Sequence, residues 1–143
     1  DYSMQGRNKL FHFDPLKPGT KGVFEILETH KSLEFQARLP SVSSLVSDLA
    51  KCSETVVVFG SYASFRHGKD SDLDVVLLGK CDVPVLTRIK KASPIPVNEH
   101  RASYAEFAAM LKAGNPLALE VMKNHVVFGN VSSMVGIFLG ASA

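Results

Sequence analysis

At 143 residues the chain is the size of one folding unit, and with 45% hydrophobic and 21% charged residues it has material for a core and too little charge for a disordered tail. Sixteen Lys and Arg against fourteen Asp and Glu leave a net charge of +2, too close to neutral to indicate a general nucleic-acid or membrane-surface binder, so composition names no partner. Two cysteines, Cys52 and Cys81, are too few for a disulfide scaffold or a Cys-rich zinc site and read as small buried residues, in keeping with a reducing cytoplasm.

Residues 1–22 carry Gly6, Pro15, Pro18, Gly19 and Gly22 around the run Leu10-Phe11-His12-Phe13, which reads as an extended leading segment followed by a loop. From Val23 to Leu39, apolar residues at Val23, Ile26, Leu27, Phe35 and Leu39 suggest one helix, stopped by Pro40. Ser41 is placed to cap a second, whose stripe is Val42, Leu45, Val46 and Leu49.

The period then changes. Thr55-Val56-Val57-Val58-Phe59, closed by Gly60, reads as a strand buried on both faces. Ser71–Leu78 reads as a second strand, alternating carboxylate with aliphatic at first and wholly apolar after that. Pro94–His100 is a third extended candidate, placed near a sheet edge by its two prolines. Ser103-Tyr104-Ala105-Glu106 is a capping box, Gly114-Asn115-Pro116 ends that helix and starts another, and a last helix is expected near Val131–Leu139. The expectation is an α/β (α+β) domain, a small mixed sheet flanked by helices.

No apolar stretch approaches the roughly 20 residues that cross a bilayer, and no signal-peptide core is visible, so a soluble cytoplasmic protein is expected. The glycosylation sequon at Asn130 then carries no weight.

The chemistry is concentrated between Phe59 and Val76. A buried strand that ends in Gly60-Ser61 and a short turn presents unpartnered backbone N–H groups and the Ser61 hydroxyl, a cradle for phosphate. Asp72 and Asp74 sit two apart on the next strand, so both carboxylates fall on one face about 6.6–7 Å apart along the chain. Such a pair suits Mg²⁺, which prefers carboxylate oxygens and completes its shell with water and substrate phosphate. Each half alone has a plainer reading, Gly-Ser as a turn and Asp-x-Asp as a solvated edge; their conjunction in this order points to function. Arg66, His67 and Lys69 lie between the halves and read equally as triphosphate contacts or as a solvated loop, while Asp70 reads as a turn-former. His12, His30, His100 and His125 form no ligand pattern.

Gly60-Ser61, ten intervening residues, then Asp72-Leu73-Asp74 resembles the signature of the DNA polymerase β nucleotidyltransferase superfamily, in its minimal-nucleotidyltransferase branch. The resemblance runs over about Ser41–Gly129, and the tail from Asn115-Pro116-Leu117 through Glu120 to Asn124–Gly129 is similar to archaeal members. It implies a nucleotidyltransferase fold in which Gly60 and Ser61 hold the β- and γ-phosphates of a nucleoside triphosphate and Asp72 and Asp74 bind one or two Mg²⁺ ions. A nucleoside monophosphate, here expected to be AMP from ATP, then passes to a hydroxyl with release of pyrophosphate.

Strongly catalytic members carry a third carboxylate on a later strand. Here that strand reads Ile95-Pro96-Val97-Asn98-Glu99-His100: Glu99 is the candidate third acid, and Asn98 is equally a candidate for the same position, in which case the base is missing. The resemblance also suggests two kinds of partner. Some relatives act on a HEPN-type toxin. Others are joined to a winged helix-turn-helix, and residues 1–22 look like the trailing wing of such a domain, with 23–143 the nucleotidyltransferase domain; a DNA-binding regulator with a nucleotide sensor is the alternative function. Self-association stays open.

Overall fold

The computed structural model describes residues 2–11 and 14–142, without the side chains of residues 2 and 9–11; His12 and Phe13 of the expected extended run lie outside the described residues. The leading segment contains a hairpin, β1 (Tyr2–Gln5) and β2 (Asn8–Phe11), antiparallel through the two-residue turn Gly6-Arg7.

The helix expected over Val23–Leu39 spans Thr20–Arg38 (α1), and Pro40–Leu49 forms α2. Leu39 rather than Ser41 is the N-cap of α2, with Pro40 in its first turn, where a residue without an N–H loses no intrahelical bond. The central strand β3 (Ser53–Phe59) pairs antiparallel with β4 (Leu73–Cys81) on one side and with β6 (His125–Gly129) on the other. Between β3 and β4 lies the one-turn helix α3 (Gly60–Ala63). A crossover helix α4 (Val83–Ala92) returns the chain to β5 (Val97–Ala102), parallel to β4, as two strands of the same sense require. The sheet order β5-β4-β3-β6 puts β5 at an edge, where the Pro94 and Pro96 reading placed it.

Helices α5 (Tyr104–Lys112), α6 (Pro116–Lys123) and α7 (Val131–Ser142) complete the chain. The alternation of β3 and β4 divides the core in two. Val56, Val58, Leu73, Val75 and Leu77 pack with Phe35 of α1, with α2 and with Leu86 of α4; Val57, Phe59, Val76 and Leu78 pack with Phe107, Val121, Met134 and Phe138 of α5–α7. The result is a mixed four-stranded sheet between two helical layers, the α/β architecture read from the sequence. Among the described residues no helix is long and apolar enough to cross a membrane.

Candidate active site

The site is built where β3 ends and β4 begins. Gly60 leaves the strand with φ 69°, a left-handed conformation that side chains other than glycine's adopt with strain. A Cβ at this position would stand 2.8 Å from Oδ2 of Asp74, so the glycine also admits the carboxylate to the turn. The Ser64 hydroxyl donates to the Gly60 and Ser61 carbonyl oxygens at 3.1 and 3.2 Å, and Arg66 N–H donates to Ser61 O at 2.8 Å, closing the turn on itself. Gly60, Ser61 and Ser64 form one wall of a cavity of about 650 Å³, whose other wall is Pro116, Leu119, Glu120, Lys123 and Asn124 from α6 and its end.

The loop from Phe65 to Asp72 is tied back to this turn. Tyr62 stacks on His67, ring centroids 4.2 Å apart, and its hydroxyl donates to Ser71 O at 3.4 Å. Gly68 N–H donates to the Ser71 hydroxyl at 2.9 Å. Phe65 has φ 56° and its ring lies under the Arg38 guanidinium at 3.6 Å, packing that stabilises a left-handed non-glycine residue. His67 Nδ1 is buried without a hydrogen-bond partner. Arg66 and Lys69 are exposed on this loop, and neither side chain is paired among the described residues.

The strand expected from Ser71 begins at Leu73, whose N–H donates to Pro96 O at 2.8 Å. Asp74 is therefore inside the ladder and half-buried, whereas Asp72 stands one residue outside it, exposed. In the parallel register Asp74 faces Asn98, and the Asn98 amide donates to Asp74 Oδ1 at 2.8 Å. Of the two candidates for the third position, it is Asn98 that meets the aspartate. Glu99 is not brought there. One residue further along, it falls on the opposite face and forms an ion pair with Lys90 of α4. Burial raises the Glu99 carboxyl, but the hydrogen bond and charge of Lys90, with Arg101 beyond, outweigh it and hold the group below its ordinary range.

Sequence reading missed a buried network that joins α1 to β6. Glu28, 5% exposed, accepts from Lys31 Nζ at 2.9 Å and lies 3.0 Å from His125 Nε2. The Val121 carbonyl is 2.8 Å from His125 Nδ1, which therefore carries the proton. Burial raises the Glu28 carboxyl, but His125 and Lys31 together bring it below 4.5. The i, i+3 spacing of Glu28 and Lys31 was visible, but nothing local ties them to a histidine 97 residues away. His100 packs against the Phe59 ring, 6.1 Å between centroids, and His30 is exposed.

Among the described residues no group of three or more His, Cys, Asp or Glu is placed to hold a metal. The two carboxylates Asp72 and Asp74 remain, a donor set that fits a hard cation taking its other ligands from water and phosphate. A pocket wall of glycine backbone and hydroxyls beside acidic oxygens is suited to a polyphosphate carried with such a cation.

No curated protein and no solved structure matches the chain. Residues 39–127, from the end of α1 through Val127 of β6, match the model of the nucleotidyltransferase domain, and with the Gly60-Ser61 turn and Asp74 meeting inside that span the chain belongs to the nucleotidyltransferase domain family.

Proposed function

We propose that the domain binds a nucleoside triphosphate, ATP foremost, with Mg²⁺ and transfers its nucleoside monophosphate to a hydroxyl acceptor. Gly60 and Ser61 would receive the β- and γ-phosphates, and Asp72 and Asp74 would hold the cation, which neutralises the charge that spreads over the phosphates as the bond to the leaving group breaks. The acceptor oxygen attacks the α-phosphorus, the bond to the β-phosphate breaks, pyrophosphate departs and the hydroxyl proton passes to a carboxylate or to water. The observation that carries this reading is the approach of Asp74 to the Gly60 turn beside an open cavity.

The Asn98–Asp74 hydrogen bond favours a second reading. An amide does not accept a proton from a hydroxyl at neutral pH, so a chain with Asn98 here would bind nucleotide and turn it over slowly, as a sensor does. The partners proposed for such a sensor are DNA, through a winged helix-turn-helix domain, and for a transferase a HEPN-type toxin.

Two measurements separate these. Magnesium with ATP is expected to raise the melting temperature of the wild-type protein and not of Asp74→Asn; equal shifts would remove the site. Release of pyrophosphate from ATP in the presence of candidate acceptors supports the transferase, whereas a melting shift without release, converted to release by Asn98→Asp, supports the sensor.

A further inference from the structure

We propose that Cys52 and Cys81 are a modification site, closing an intrachain disulfide when the protein meets a small-molecule disulfide such as glutathione disulfide. The two residues come from opposite ends of the β3–β4 hairpin and meet at its open base. Ser53 is the register partner of Cys81, and Asp82 N–H donates to Cys52 O at 2.8 Å. Cys52 is therefore a diagonal neighbour of Cys81, one position along from pairs that stand about 4.5–5.5 Å apart at Cα, near the roughly 4.4–6.8 Å that a disulfide spans. Cys52 lies just before β3, outside the strict alternation of the strand, and both cysteines pack against the same apolar cluster. Both also line a surface cavity of about 450 Å³ with Lys51, Glu54, Lys80 and Asp82. Burial pushes the Cys52 thiol up to about 11, and the adjacent Cys81 thiol adds to that shift.

The exposures assign the order of events. Cys52 is 4% exposed and donates its S–H to Leu49 O, whereas Cys81 is half-buried at the cavity. The Cys81 thiolate attacks one sulfur of glutathione disulfide, forming a mixed disulfide and expelling one glutathione thiolate. Cys52, deprotonated, then attacks Cys81 Sγ and expels the second glutathione thiolate. The protein loses two thiol protons and two electrons, and the oxidant becomes two glutathione thiols.

The closed loop would hold Gly60, Ser61, Asp72 and Asp74, while the bridge itself would sit at the end of β3 away from Gly60. Constraining that length of chain in the unfolded state is expected to raise the melting temperature by roughly 5–10 °C, with the shift produced by magnesium and ATP unchanged. The test is to incubate the full chain with glutathione disulfide at pH 8 and measure intact mass, a non-reducing peptide map and melting. The expected result is a loss of about 2 Da, one cross-link between the peptides that carry Cys52 and Cys81, and a higher melting temperature that a dithiol reverses. Cys81→Ser is expected to abolish both the mass loss and the rise. Two free thiols, separate glutathione adducts on the two cysteines, or a covalent dimer between chains would overturn the proposal.

Discussion

Asp74 accepts a hydrogen bond from the Asn98 amide at Oδ1, and its Oδ2 lies against the Gly60 turn, where a Cβ would meet it at 2.8 Å. Gly60→Ala combines a left-handed backbone with a methyl group in the space of Oδ2, and it is expected to lower stability by about 1–3 kcal/mol in thermal unfolding and to weaken the response to magnesium with ATP. Asn98→Asp sets a second carboxylate against the first, a repulsion of up to about 4 kcal/mol for charges 4 Å apart at an effective dielectric near 20, reduced here by solvent. The variant should melt lower than wild type without magnesium and gain more from its addition. Gly60, Ser61 and Asp74 were legible because a strand end, a glycine and a carboxylate are local signals. Asn98 against Glu99 was not, because the choice rests on the register of a parallel pair across a crossover helix, which the spacing of residues does not encode. Glu28 was illegible because packing of α1 against β6, and nothing local, brings it to a histidine 97 residues away. Its depressed carboxyl contributes stability that is present above 4.5 and is lost as pH falls through the folded value below that. Glu28→Gln is expected to cost about 1–2 kcal/mol at pH 7, through loss of the ion pair with the partly exposed Lys31 and of the carboxylate contact with His125, and to flatten the acid limb of a melting-temperature profile below pH 4.5.

At the scale of elements, the central strand, helices α1, α2 and α5–α7, and the edge placement of β5 followed from periodicity and punctuation. The capping box of α5 formed as written, with Glu106 N–H donating to Ser103 Oγ at 3.1 Å and Ser103 N–H to Glu106 Oε2 at 2.7 Å. Ser103→Ala should therefore cost about 1 kcal/mol in denaturant unfolding. Two elements, α4 and β6, were passed over, and the extended leading segment was not resolved into a hairpin. The start of α4 is signalled by Asp82, whose carboxylate accepts from Val85 N–H at 3.1 Å, with Pro84 in the first turn, a weaker cue than a full capping box. The strand β6 is only five residues long, and pairing with β3 decides its state. The β1–β2 hairpin turns on Gly6-Arg7, a turn signal embedded in a segment too rich in glycine and proline to read as strands.

The molecule as a whole depends on residues outside the span that matches the family. Phe35 fills the core on one side of the sheet, and Met134 and Phe138 on the other, yet α1 and α7 lie before residue 39 and after residue 127. A fragment limited to residues 39–127 is expected to show little cooperative melting by circular dichroism while the full chain melts in one transition, because large buried side chains on both faces would be gone. The sheet itself separates two neighbours in sequence: Asn98 on the Asp74 side and Glu99 with Lys90 on the other. The connection Ser93–Pro96 sets that assignment. Deleting one residue there to slide Glu99 toward Asp74 would also turn Val97 out of the core, since a strand displaced by one position exchanges its faces entirely. Trimming the loop therefore cannot bring a third carboxylate beside Asp74 without emptying the core of Val97. A change of codon at position 98 can, since asparagine and aspartate differ there by a single base.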